Sequence, residues 1–581
     1  MMSAPHGYHG RFLEIDVGKC SFAWREISSD TLRQYLGGVG LGTYLLNRLQ
    51  DGCVDPLSPE SILAFVFSPL VGSALTTSAK FAVVSKSPQT NRINDSLSSS
   101  RFAIAGKRTG ADAIVLRGQS DQPIIVSIDD SSVQFLPAAA YWGMECSEAE
   151  RRIRDDMPAS DAQVAVIGPA GENLVKYATI SNDGRHAGRG GHGAVMGSKN
   201  VKALVVRGQK CVTWAQPAQL NKLAKELSAK SFGPATAKYR ELGTAANLLV
   251  FNRLAMLPTR NFQQGQLESA SSLAPETLEK TLRKTRKSCA ACTIGCEHLY
   301  EGKQGESPVR IEYESLFALG ANCGINDPQV VLNACRRCDA LGLDTISTGG
   351  TIAFAMECAA EGLLPSEESL TFGDGEGLLR LIEQIGRRQG IGHRLADGSK
   401  QMAQQLGPKA EEMTAEIKGL EMPGYEPRGL TAMAVGLAVA ARGADHNRSG
   451  AYEADFAGDV AQGDFKSAVQ AVIDSEDRAA VMDSLILCKF IRGVLDDFYD
   501  DTAALLQAVT GWDIDRAELR DVARRIVHER RQFNVRAGWT PLEDTLPTKM
   551  FQQPVGIHEA IDRKAFSEAV GEYNFRRQSE S

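Results

Sequence analysis

Short apolar runs cut by turn residues dominate the first 210 residues. Alternation over Arg11 to Val17 predicts a strand, as do compact runs at Ile62 to Phe67, Phe81 to Ser85, Ala113 to Leu116, Val164 to Ile167 and Ala203 to Val206, each bounded by Gly, Pro, Asn or Asp. Two helical patches interrupt them, Thr31 to Leu49 and Ser147 to Asp156. The second opens on Ser147-x-x-Glu150, the spacing of a capping box. After Trp214 the apolar positions recur with a period of about 3.6, predicting helices at Gln219 to Ala229, Val330 to Leu341, Leu378 to Gly386 and Ala517 to Phe533. A Pro/Gly-rich stretch, 422–429, breaks this helical part. The expected fold is α+β, with a β-rich N-terminal domain over 1–210 followed by two mainly α-helical domains, 211–420 and 421–581.

Composition narrows the class. With 581 residues, 43% of them hydrophobic, the chain can bury a large core. A net charge of -7 without a long basic run argues against nucleic acid. The longest apolar stretch, Leu430 to Ala441, falls short of the roughly 20 residues of a spanning helix, and the opening residues lack the pattern of a signal peptide. A cytoplasmic protein with no membrane partner is expected. In that compartment twelve cysteines are not a disulfide framework. Cys20, Cys53, Cys146, Cys211, Cys323 and Cys358 stand alone and read as buried free thiols; Cys335-x-x-Cys338 lies in a predicted helix and reads as packing.

Cys289-x-x-Cys292-x-x-x-Cys296 is different, because it brings three thiols onto one compact turn. That suits a four-iron, four-sulfur cluster whose fourth thiolate comes from elsewhere, with Cys488 the candidate. A zinc site is the rival reading, although short zinc motifs usually supply two local pairs. Two further segments look like versions of one loop. Asp339-Ala-Leu-Gly342-Leu343-Asp344 and Asp483-Ser-Leu-Ile486-Leu487-Cys488 share spacing and apolar setting, and a carboxylate placed there can accept the paired N–H donors of a pterin or guanine edge. Gly184, Gly188, Gly190, Gly191, Gly193 and Gly197, interleaved with Arg185, Arg189 and Lys199, suit close backbone approach to phosphate.

Together these segments resemble the tungsten-containing aldehyde:ferredoxin oxidoreductase family. The most specific stretches are Gly168-Pro-Ala-Gly-Glu-Asn-Leu-Val175, the run from Gly193 to Ala203, Glu312-Tyr-Glu-Ser315, Gly320-Ala-Asn-Cys-Gly-Ile-Asn-Asp327 and the run from Leu341 to Gly350. The resemblance implies a β-rich base for the cofactor, a tungsten (or molybdenum) held by two pterins, and a neighbouring 4Fe-4S cluster. It implies that Asp339, Leu343 and Asp344 hold one pterin and that Asp483 and Leu487 hold the other. Lys80 stands where the family has a basic residue between pterin and cluster. Arg185 and Arg189 fall in the segment that contacts the pterin phosphates, and Glu314 and His446 match the acidic residue and the histidine proposed as the family's catalytic groups, Glu314 as base and His446 as hydrogen-bond donor. The implied reaction is oxidation of an aldehyde with water to a carboxylate, electrons leaving to ferredoxin or a related iron-sulfur subunit. Reduction of an aryl-coenzyme A thioester and a cluster-bearing subunit without the mononuclear metal are the alternatives.

The sequence also departs from the family. Ile486 replaces the usual Gly of the second loop, and Leu97, in Asn94-Asp-Ser-Leu97, replaces an Asn that helps hold magnesium, so a magnesium bridge is open to doubt. Asn333 and Arg336 replace a Glu-x-x-His pair that shares iron between subunits, and no interfacial iron is expected; a homo- or hetero-oligomer would need another interface.

Overall fold

The computed structural model describes residues 4–157, 161–302, 307–365 and 370–579. Among these, the α+β class is observed. One six-stranded sheet runs Ser21–Glu26, Arg11–Asp16, Ala113–Arg117, Leu63–Val66, Lys80–Lys86 and Ile93–Ser99 from edge to edge. A second runs Arg185–Ala187, Ile180–Asn182, Gln163–Val166, Val201–Val206, Ile124–Ile128 and Val133–Pro137. Neighbours are antiparallel except where Arg11–Asp16 meets Ala113–Arg117 and where Val201–Val206 meets Ile124–Ile128.

Period-two alternation decides what each face covers. Leu13, Phe65, Phe81 and Val83 of the first sheet meet Val126, Ala165, Leu204 and Val206 of the second in one buried cluster, so the sheets pack face to face. The alternate residues Phe12, Ala64, Val66, Ala82 and Val84 turn outward into a core shared with the helices Gly38–Leu49, Phe465–Leu485 and Arg516–Arg536. On the far side, Val164, Ala203 and Val205 are covered by the helix Cys146–Asp156.

The four helices expected beyond residue 214 are present as Pro217–Ser231, Pro328–Leu341, Gly375–Gly386 and Arg516–Arg536. One apolar cluster takes in Ile352 and Phe354 before the stretch 422–429 and Leu437 and Val469 after it. Thr31 to Leu49 forms two helices, Ser29–Tyr35 and Gly38–Leu49. A Cβ at Gly38 would lie 2.4 Å from the Asp483 carbonyl oxygen, so this break lets the N-terminal layer touch the second Asp loop.

Three expectations need correction. No capping box forms at Ser147, because the helix already starts at Cys146; Glu150 instead holds Arg154 and the Asp183 amide. Of the six isolated cysteines, Cys146, Cys323 and Cys358 are buried, but Cys20, Cys53 and Cys211 are exposed. Most of the glycine-rich segment is explained by packing: a Cβ at Gly190, Gly191, Gly193 or Gly197 would come within 2.3 Å of Asn94, Lys176, Thr179 or Gly171 atoms, whereas only Gly184 and Gly188 of that set face open space. The apolar stretch near Leu430 is the fully buried helix Thr431–Val439, and no helix among the described residues is long and apolar enough to cross a membrane.

Candidate active site

Strands Lys284–Lys287 and Glu297–Tyr300 pair antiparallel with Lys287 opposite Glu297, making residues 288–296 the loop of a hairpin. That loop carries Cys289, Cys292 and Cys296, while Cys488 arrives from the end of the helix Phe465–Leu485. Two threonines of the N-terminal layer join them. The Thr77 amide donates to the Ala291 carbonyl (2.6 Å), Thr76 Oγ1 lies 2.7 Å from Thr293 Oγ1, and the Cys488 amide donates to Thr77 Oγ1 (3.3 Å). The four thiols form one electrostatic set. A hydrogen bond from Cys292 pulls the Cys289 thiol down to about 5, aided by Arg185 and Lys80. Cys292 is pushed up by the same bond and by burial, Cys296 by burial and by Cys488. Among the described residues no three His, Cys, Asp or Glu side chains converge to enclose a single ion.

Lys80, at the start of its strand, sits between this set and the second Asp loop. Burial acts to lower its pKa, yet Cys488, Cys289, Asp483 and Cys292 hold it above lysine's ordinary value. Arg185 is likewise raised against its burial by Cys289 and by its ion pair with Glu297. A cavity of about 1030 Å³ opens here, lined by Arg185, His186, Cys289, Glu297, Arg310 and Asp339, so it brings a first-loop carboxylate and one of the four thiols to the same space.

The two Asp loops share a backbone device. Each follows a helix end: Gly342 caps Pro328–Leu341 in the left-handed region (φ 79°, ψ 48°), and Ile486 caps Phe465–Leu485 there too (φ 56°, ψ 39°). The amides of Leu343 and Leu487 each reach back to the carbonyl five residues earlier, at Cys338 and Met482, both at 2.9 Å. Leu343 and Leu487 are buried. Asp344 caps the next helix, Thr345–Ala360, by accepting the Ile346 and Ser347 amides.

Glu314 lies on the short helix Tyr313–Leu319, and His446 on the segment after Thr431–Val439. They face one another at 3.7 Å between Glu314 Oε1 and His446 Nε2, beyond hydrogen-bond reach. Glu314 Oε2 accepts the Gly424 amide (3.0 Å), leaving the buried Oε1 without a partner. Asn447 Nδ2 lies 2.8 Å from His446 Nε2; an amide nitrogen only donates, so the ring proton belongs on Nδ1, also buried without a partner. Burial pushes the Glu314 carboxyl up to about 7, and burial, with the nearby Arg189, Arg442 and Arg448, pulls His446 down to about 3. Tyr425 stacks on the imidazole (5.3 Å, 27°), and Tyr313, Tyr452, Phe251 and Phe456 continue this aromatic wall outward to the half-exposed Phe456.

Several site residues escaped sequence reasoning. Arg448 pairs with both Asp95 and Asp483, and Asp95 also binds Arg530 and accepts Arg442 at its backbone carbonyl, a web that holds its carboxyl far below the usual range despite burial. The basic residues flanking His446 in 442–448 were the available signal. Arg189 gives all three guanidinium nitrogens to protein acceptors, Asp344, the Ala444 carbonyl and the Glu421 carbonyl, so its side chain clamps the first loop rather than standing free for a phosphate. Leu97 offers no oxygen to magnesium, and Asp95 beside it is occupied by arginines, so the side chains present do not fit that ion there.

Comparison with known proteins gives this fold, with its β-rich base, its thiol set and its buried Glu314–His446 pair, a class. The N-terminal domain model of aldehyde ferredoxin oxidoreductase matches residues 12–208, and the model of its domains 2 and 3 matches 220–578. The chain is 37% identical over 577 residues to the tungsten-containing aldehyde ferredoxin oxidoreductase of Pyrococcus furiosus, covering 95% of this chain and 92% of that protein. It is 29% identical to the WOR-like subunit of an aliphatic sulfonate oxidoreductase from the same organism, covering 95% and 90%. In fold it resembles the active-site complex BamBC of benzoyl coenzyme A reductase, with a TM-score of 0.84 at 24% identity over 99% of this chain and 95% of that one. The chain belongs to the aldehyde ferredoxin oxidoreductase family, and it is an oxidoreductase.

Proposed function

We propose that the protein oxidises an aldehyde with water to a carboxylate at a tungsten carried by two pterins, with a 4Fe-4S cluster on Cys289, Cys292, Cys296 and Cys488 as the exit for electrons. The observation that carries this reading is that two side chains approaching to 3.7 Å, between Glu314 Oε1 and His446 Nε2, each keep a buried polar atom without a partner, Glu314 Oε1 and His446 Nδ1. An unsatisfied buried group costs about 1–3 kcal/mol, and two together point to a polar guest.

The reaction joins water oxygen to the aldehyde carbon and releases a carboxylate, two electrons and three protons. When bound, the metal supplies the two-electron acceptor. Asp339 and Asp483 would take pterin N–H donors, and Arg185, which lines the cavity together with Asp339, would face the phosphates. Glu314, poised near neutrality, takes the proton of water at Oε1. His446, neutral with its proton on Nδ1, donates to the carbonyl oxygen and polarises it. The aromatic wall keeps bulk water away from both.

Glu314→Gln should reduce aldehyde-to-viologen turnover by roughly 10²–10⁴-fold while elemental analysis finds tungsten and iron unchanged. Turnover at the wild-type level would sink the assignment. The same aromatic wall favours a second reading, reduction of an aryl thioester. That reading gains if protein supplied with a reduced carrier consumes an aryl thioester while aldehydes pass no electrons to the dye.

A further inference from the structure

The hairpin that carries the cysteines has a second property. Five of the eight residues from Lys280 to Lys287 are cationic: Lys280, Arg283, Lys284, Arg286 and Lys287. Lys284 pairs with Glu279 and Arg283 with Glu301, but Arg286 and Lys287 are exposed and no acid among the described residues pairs with them. The strand then runs without a break into Cys289, with Ala291 of the loop also exposed and Cys289 itself partly so. Arg101 is exposed on the same cavity rim as Lys287. In a chain of net charge -7 this is a local reversal of sign beside a loop whose three cysteines are all partly exposed.

We propose that Arg286, Lys287 and the cysteine loop form the docking face for a small acidic one-electron carrier protein. The inference rests on the reading of the four cysteines as cluster ligands. Outward transfer of a single electron requires the carrier's centre to approach that loop, and the rest of an acidic protein repels an acidic visitor. A cationic strip beside the loop therefore sets both orientation and encounter rate, which such steering raises by about 10–10³-fold. Oxidation of one aldehyde releases two electrons, so two oxidised carriers dock in turn and each leaves reduced by one electron.

The test is binding of a recombinant acidic bacterial ferredoxin to the full-length holoprotein, followed by calorimetry at low and high ionic strength. Arg286→Glu with Lys287→Glu should weaken Kd roughly tenfold or more at low salt, and wild-type affinity should fall as salt rises. The control is Lys466→Glu, exposed at the opposite end of the 21-residue helix Phe465–Leu485, about 30 Å from Cys488; it should leave Kd unchanged. Equal affinity in the double variant, an equal loss in the control, or salt-independent binding of the wild type would each overturn the proposal. Aldehyde oxidation coupled to a viologen dye, measured on the same wild-type sample, needs no carrier. Its absence would sink the reaction proposed above and leave the binding result to stand separately.

Discussion

The loops ending at Asp344 and Cys488 are built on one backbone plan and differ in nearly everything attached to it. In the first, Asp339 is 41% exposed at its side chain, meets only His186 at 3.5 Å, and borders the large cavity. In the second, Asp483 is fully buried between Arg448 and Lys489. The first loop leads through Asp344 and Arg189 to Ala444, two residues before His446. The second leads through Lys80 to Cys289 and Cys292, and ends on Cys488 itself. A shared turn has thus been given two settings, one leading toward the Glu314–His446 pair and one toward the thiols, and the difference lies in charge and access rather than in backbone shape.

The largest expected effect breaks this contrast from the buried side. Asp483→Ala leaves the buried Lys489 without its carboxylate and strips Arg448 of one of its acidic partners, and should destabilise the fold by roughly 3–5 kcal/mol in chemical denaturation. A cost below 1 kcal/mol would make the two loops electrostatically alike.

Next comes the pH dependence of the pocket that the first loop reaches. The folded Glu314 holds its proton up to about 7, whereas the unfolded chain releases it near the ordinary value of 4.5. Between those values the folded state binds more protons than the unfolded one, so stability falls as pH rises through this window and levels off above it. Glu314→Gln removes that loss. Relative to the wild type it should gain about 3 kcal/mol on going from pH 4 to pH 8, and an unchanged difference would place the carboxyl in water. In the proposed reaction the same titration makes wild-type turnover fall about tenfold per pH unit below 7.

Ile486 sharpens the comparison of the turns themselves. A β-branched residue in the left-handed region costs about 1–2 kcal/mol, but this side chain is fully buried against Gly38. Ile486→Gly relieves the strain and empties the space, for a net loss of roughly 2 kcal/mol. A gain in stability would mean that strain outweighs packing. The smallest effect belongs to the open side: Asp339→Asn should change stability by less than about 0.5 kcal/mol in the same denaturation assay.

What could be read in advance follows from range along the chain. Periodicity placed six of the twelve strands in the two large sheets and four helices beyond residue 214 because these patterns are local, but it missed Ser21–Glu26, Ile93–Ser99, Ile124–Ile128, Val133–Pro137, Ile180–Asn182 and Arg185–Ala187. The cysteine triplet and the paired Asp loops were legible because spacing alone carries them. The suspicion attached to Ile486 came from a residue type, and the backbone adopts the glycine-like turn regardless. Hidden were partners hundreds of positions apart: Arg448 with Asp95, Thr77 with Cys488, Arg189 with Ala444. The false capping box at Ser147 has a different origin, since the motif was present but the helix began two residues too early to use it.

The threonine stitches carry one more consequence. Thr76 and Thr77 fasten the cysteine hairpin, and Thr77 fastens Cys488 as well, through ordinary hydrogen bonds. Segments nearly two hundred positions apart thus depend on the same two N-terminal residues, and a change at Thr77 reaches both thiol-bearing segments at once.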